Sequence, residues 1–183
     1  MDVRIIRSDR RSMSLQIKNA QVIARVPKRA SEAQIRRFIE NNMGWIETHL
    51  TRAIEKERVL SAIAPLSADE LDALVREARA VISERVAHYA ALMGVGYGRI
   101  TIRKQRSRWG SCSASGNLNF NCLLMLAPSD ALDSVVVHEL CHRREMNHSD
   151  RFYREVYRVF PEYDKWHSWL DANGETLMRR LGK

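Results

Sequence analysis

Near the N-terminus hydrophobic and polar side chains alternate. Val3–Arg7, Met13–Lys18 and Val22–Val26 are predicted as short strands, with Met13, Leu15 and Ile17 on one face and Asn19-Ala20 as a tight turn. Pro27 closes this segment, and Ser31 with Gln34 forms a capping box that opens a helix. Ile35, Phe38, Ile39, Ile46 and Leu50 continue as a helical stripe with an interruption expected near Gly44. A connector around Ser61–Leu66 leads to a second capping box, Ser67 with Glu70. The clearest amphipathic helix follows, through Leu71, Leu74, Val75, Ala78, Ile82, Val86, Tyr89 and Met93, with Gly94 as its terminator.

Beyond Gly98 the period changes to two. Ile100 and Ile102 alternate with polar neighbours, as do Leu118, Phe120 and Cys122, which predicts a pair of strands with one buried face. Pro128 and Asp130 introduce a helix from Ala131 to about Met146. Asn147 is expected to end it in a left-handed conformation, Ser149 or Asp150 to cap the next helix, and Pro161 to stop that one. The stretch after Pro161 carries no predicted element.

Length and charge narrow the classes. The chain has 183 residues, 45% of them hydrophobic, which suits one domain with a real core, or one domain with a small appendage. The longest apolar run, Cys122–Ala127, is too short to span a bilayer, and the first twenty residues show no secretory pattern, so a cytoplasmic protein is expected. Three cysteines are too few for a disulfide scaffold. Lys and Arg number 30 against 22 Asp and Glu, a net charge of +8, with Arg99, Arg103, Lys104, Arg106 and Arg108 crowded together. Such a field attracts phosphates, nucleic acid or acidic substrates.

The chemistry concentrates in His138-Glu139-Leu140-Cys141-His142. Four residues of helix are about 400° of rotation, so the two imidazoles stand one turn apart on one face and can reach a single ion. Glu139 is displaced about 60° from His142, within reach of a water but outside the ligand set, as a general base requires. His148, six residues further on, can be the third ligand only if the helix stops first; Glu145 or a more distant carboxylate is the alternative. Cys112 stands in a basic neighbourhood that could lower its pKa, but site-lining or packing is the simpler role. Cys141 is read as packed rather than ligating, and His49, His88 and His167 as ordinary histidines.

These residues resemble the YgjP-like metallopeptidase domain family, a zincin-type group related to SprT-like and WLM proteases. The resemblance rests on Arg108-Trp109-Gly110-Ser111-Cys112-Ser113, Gly116-Asn117-Leu118, Asn121, Leu124 and Pro128. It continues through Val136–His142 and Asn147-His148-Ser149 with Phe152, and the N-terminal strands, Pro27 and Trp45-Ile46 also fit. The family often carries an aromatic residue at the place of Ser134 and Trp at that of Tyr153, departures that affect peripheral packing. The spacing from His142 to His148 is similar to that of metzincins too, but Glu145 stands where they have glycine. The resemblance implies one zinc ion on His138, His142 and His148, with Glu139 catalytic. It also implies a small zincin-like α+β domain whose antiparallel sheet packs on the metal helix. Residues 1–60 are expected to form N-terminal strands and a helix, and 61–183 the catalytic region, together one compact unit.

The expected activity is zinc-dependent hydrolysis of a polypeptide, with a metal-activated water and Glu139 as base. The alternative is a nucleoside triphosphate pyrophosphatase acting on UTP, an activity also assigned within this family, with Arg103, Lys104, Arg106 and Arg108 clamping the phosphates. A third reading is a nucleic-acid-associated module with a basic face and structural zinc. Arg103, Arg106, Arg108, Trp109, Ser111, Asn119 and Asn121 are candidates for the substrate wall, on a sheet edge that could pair with an extended peptide.

Overall fold

The computed structural model describes residues 2–182. The chain divides into two compact units, Met1–Ala62 and Ile63–Lys183.

In the first unit, strands β1 (Val3–Ser8), β2 (Ser14–Lys18) and β3 (Gln21–Pro27) form a sheet in the order β1-β3-β2. β2 and β3 are an antiparallel hairpin, and Asn19 and Ala20 take φ values of 51° and 55°. Positive φ at both central residues matches the twist of the flanking strands, which is why so short a turn closes here. β1 runs parallel to β3 on its other side. Helix α1 (Glu32–Glu40) opens on the predicted Ser31/Gln34 box, and Ile35 joins Ala24, Val26 and Ala30 in a small core. The helical stripe breaks at Asn41-Asn42 rather than at Gly44, because the Asn42 amide donates to the Phe38 carbonyl (2.7 Å) and satisfies the end of α1. Gly44 lies inside the next helix, α2 (Met43–Ser61).

The second unit is built on α3 (Ala68–Met93), whose Ser67/Glu70 box and left-handed Gly94 (φ 63°) are where the sequence puts them. One buried stripe, Leu74, Ala78, Ile82, Val86, Ala90 and Met93, belongs to the core that Val136, Val137 and Leu140 share. Strands β4 (Ile100–Arg103), β5 (Gly110–Cys112) and β6 (Leu118–Asn121) follow, then a 3₁₀ turn (Cys122–Leu126). Helices α4 (Ser129–Cys141), α5 (Asp150–Val159) and α6 (Tyr163–Arg179) complete the unit.

The α+β class holds, with three differences in detail. The sheet is mixed rather than antiparallel. β6 is central, β4 runs parallel to it, and the hairpin partner of β6 across the 113–117 turn is the three-residue β5. α4 stops at Cys141, five residues before the predicted end. α6 follows Pro161, where no element was predicted, and its buried Tyr163 and Leu170 enter the main core. Among the described residues no helix is long and apolar enough to cross a membrane.

Candidate metal centre

α4 is held hard in the core: Val136, Val137, Leu140 and Cys141 are fully buried. A helix packed this way fixes the side chains on its remaining face. His138 projects from the last turn, and His142 is the C-cap residue, still in right-handed geometry (φ −62°, ψ −13°). The chain then winds back through tight turns, with Arg143 N–H on the Leu140 carbonyl and Glu145 N–H on that of Cys141, both at 3.0 Å. Side chains fasten the reversal from outside. Arg143 Nε donates to the Gly96 carbonyl (2.9 Å), and Arg144 donates to that of Met93. Among the described non-glycine residues only Asn19 and Ala20 have positive φ, so Asn147 is not left-handed; the turn spans residues 142–144 and the chain bends again at Met146 and Asn147. Ser149 then caps α5 by accepting from the Phe152 amide (3.4 Å).

The reversal brings His148 back over the helix end. One ring nitrogen from each of His138, His142 and His148 lies within 4.8 Å of the others, and Nε2 of His148 is 3.0 Å from Nε2 of His138. Nitrogens about 2.0–2.1 Å from a tetrahedral ion stand about 3.3 Å apart, so the donor set fits a zinc-sized cation. Two observations support that fit. His142 Nδ1 donates to the Glu145 carbonyl (3.1 Å), which leaves its Nε2 as the bare lone pair. Burial holds the His138 pKa down to about 3, so its ring is neutral, the form that ligates. The Phe152 ring, fully buried, backs all three imidazoles, with centroids 4.9, 4.6 and 4.8 Å from those of His138, His142 and His148. Behind His138, the Tyr163 hydroxyl lies 2.8 Å from Nδ1.

Glu139 is 5% exposed. Burial pushes its pKa up to about 8, and the positive charge of Arg108 opposes the rise. A cation on the histidines would oppose it further. A cleft of about 160 Å³ opens beside it, lined in part by Trp109, Gly110, His138, Tyr163 and Leu170. Gly110 is a steric requirement of this arrangement. A Cβ there would lie 2.5 Å from Glu139 Oε1 and 2.7 Å from Cγ.

The sequence matches the profile of the YgjP-like metallopeptidase domain over residues 11–71 and 67–173, most of its length. The chain belongs to the YgjP-like metallopeptidase family. No curated protein sequence matches it. Among solved structures it is similar to the metallopeptidase zymogen abylysin of Pyrococcus abyssi, at 21% identity and a TM-score of 0.46 over 50% of this chain and 92% of that one. It is likewise similar to the zymogen jannalysin of Methanocaldococcus jannaschii, at 20% identity and a TM-score of 0.45 over 50% of this chain and 94% of that one.

Around this YgjP-like centre the other predicted site residues are divided. Trp109 lines the cleft. Arg108 is exposed and acts on Glu139 through its charge. Ser111 and Asn119 are opposite one another on β5 and β6, and the Asn119 amide donates to Ser111 Oγ (3.1 Å) while Arg103 Nε donates to its carbonyl oxygen (3.4 Å). Asn121 is not a substrate-wall residue. It is fully buried, donating to the Gln105 and Arg108 carbonyls (2.7 and 3.1 Å) and accepting from the Leu123 amide (3.1 Å). Its work is to hold the 105–108 loop.

The basic residues do not converge on the histidines either. Lys104 pairs with Asp72 (3.0 Å), and Arg106 lines a separate cavity with Met178 and Arg179. Burial raises the Cys112 thiol above its ordinary value, overriding the positive charge of Arg143, so the basic neighbourhood does not activate it. Cys141 is buried, its pKa pushed up to about 12, and it lies outside the cluster of potential ligands.

Tyr163, Gly110 and Leu170 are site residues that the sequence reading did not single out. Tyr163 and Leu170 come from α6. The signal for that helix was present in Tyr163, Trp166, Leu170 and Leu177 at three-, four- and seven-residue steps.

Proposed function

We propose that the chain is a zinc-dependent peptidase in which His138, His142 and His148 hold one ion and Glu139 is the general base. The observation that carries this reading is the convergence of three imidazole nitrogens within 4.8 Å of one another, one of them from His138, which lines the same cleft as Glu139. Three protein donors leave a fourth position for solvent or substrate, as catalytic zinc sites require and structural sites seldom allow.

When bound, zinc supplies Lewis acidity and brings the pKa of a coordinated water towards neutrality. The protein does the rest. Tyr163 Oη accepts from His138 Nδ1–H, which leaves Nε2 with the lone pair that would hold the ion. Glu139, with its carboxyl poised near neutrality by burial, takes a proton from the attacking water and returns it to the departing amine nitrogen. Arg108 favours the ionised form from which the first transfer starts and to which the second returns the carboxyl.

The substrate is an extended polypeptide. β5 is an edge strand beside Glu139, so its free side can add a further strand by main-chain hydrogen bonds, with Trp109 forming an adjacent wall. The test is an assay of the zinc-loaded chain on unfolded polypeptides and, in parallel, on nucleoside triphosphates. Peptide-bond cleavage that disappears in Glu139→Gln supports the reading; hydrolysis of triphosphate alone overturns it.

A further inference from the structure

The N-terminal unit carries a second polar concavity, unrelated to the histidines. The loop after β1 and the segment after β3 lie side by side and enclose a cleft of about 470 Å³ lined by Ser8, Asp9, Arg10, Arg11, Pro27, Lys28 and Arg29. Its two walls are tied together. Lys28 N–H donates to the Ser8 carbonyl (3.0 Å), and Arg7 Nη1 donates to the carbonyls of Lys28 and Ala30 (3.3 and 2.6 Å). Arg7 therefore serves as scaffold, and four further cations are left to line the cleft.

Those four are under-partnered. Asp9 is the single carboxylate in the lining, and Lys28 already holds it at 2.8 Å. Arg11 and Arg29 have no hydrogen-bond or ion-pair partner among the described residues. Arg10 donates from Nη1 to Ser14 Oγ (2.9 Å), while its buried Nε has no acceptor. Four cations against one anion leave a local excess of three positive charges. Guanidinium groups hold oxyanions in two-pronged hydrogen bonds, and a single carboxylate would neutralise only a third of that excess. A doubly charged phosphate, or two successive phosphodiesters, matches it better.

The charge of the whole unit points the same way. Residues 1–62 contain thirteen Lys and Arg against seven Asp and Glu, so +6 of the chain's +8 lies in its smaller unit. We infer that the cleft between Ser8–Arg11 and Pro27–Arg29 is a phosphate-binding site. Nucleic acid and free nucleotides are two sources of that group.

The experiment uses the full chain and the variant R11Q/R29Q, whose side chains have no partner to lose. R36Q/R52Q, in the helices of the same unit, removes the same charge outside the cleft. Binding of a labelled twelve-nucleotide single strand is followed by anisotropy, and of ATP and inorganic phosphate by calorimetry, at two salt concentrations. The expected result is saturable binding that weakens about tenfold in R11Q/R29Q and less than about twofold in R36Q/R52Q, with a shallower salt dependence in the cleft variant. Binding of the strand alone assigns the site to nucleic acid, and binding of ATP or phosphate as well assigns it to the phosphate group in any form; both support the inference. Equal weakening in the two variants, or no saturable binding of any of the three probes, overturns it.

Discussion

Gly110 and Glu139 touch so closely that no side chain fits between them: a Cβ on the strand would stand 2.9 Å from the carboxyl carbon. The edge strand thus sets the position of the proposed base from one side while the buried helix α4 sets it from the other. Gly110→Ala must displace one of the two. Since a misplacement of about 1 Å can cost about a hundredfold in rate, kcat for peptide hydrolysis is expected to fall by that order while zinc content stays at the wild-type level. Steady-state kinetics with metal analysis on the same sample checks this.

Tyr163→Phe removes the hydroxyl 2.8 Å from His138 Nδ1 and leaves the ring that stacks beside it. Partners of this kind fix the ring orientation of a ligand, and losing one costs about 10–100-fold in metal affinity. Competition with a zinc chelator measures the change, which is expected without loss of thermal stability in the metal-free protein.

Asn121→Ala tests the structural reading of that residue. The substitution leaves the Gln105 and Arg108 carbonyls and the Leu123 amide without partners in the interior. Unsatisfied buried groups and a small cavity together are expected to cost about 3 kcal/mol, read from urea unfolding.

Asp133 gives a pH dependence. It is buried on α4, with Oδ1 unpartnered and Oδ2 accepting from Tyr89 (3.1 Å) beside Arg85 (3.5 Å). Burial raises its pKa above 3.8, outweighing Arg85. The folded state therefore binds this proton more tightly than the unfolded one. Its contribution to stability is greatest below the ordinary carboxylate value and falls as pH rises through the folded value. Asp133→Asn keeps an acceptor for Tyr89 and cannot ionise, so its stability relative to wild type is expected to improve between pH 4 and pH 7. Urea titrations at both values check the sign.

What could be read in advance follows physical range. The capping boxes at Ser31 and Ser67, the left-handed Gly94 and the spacing of His138 to His142 are local, decided within a few residues of chain. The return of His148 was legible only as a necessity of geometry. Its cause lies in carbonyls of Gly96 and Met93 that hold Arg143 and Arg144, about fifty residues away in sequence. β5 escaped because three residues have no period, and its strand character comes from pairing with β6. Asn121 looked like a surface residue of an alternating strand, but the loop before β5 folds over it and consumes its amide. The contacts of Gly110 with Glu139 and of Tyr163 with His138 are tertiary, and neither glycine nor tyrosine announces such a role alone.

The central claim is that three imidazoles hold one ion and Glu139 works beside it without being a ligand. Zinc stoichiometry and peptide hydrolysis measured on wild type, Glu139→Gln and His148→Ala separate these roles. The account predicts one zinc per chain in wild type and in Glu139→Gln, with turnover down about a thousandfold in the latter, and weakened zinc binding in His148→Ala. Undiminished hydrolysis in Glu139→Gln, or full zinc affinity without His148, would contradict it.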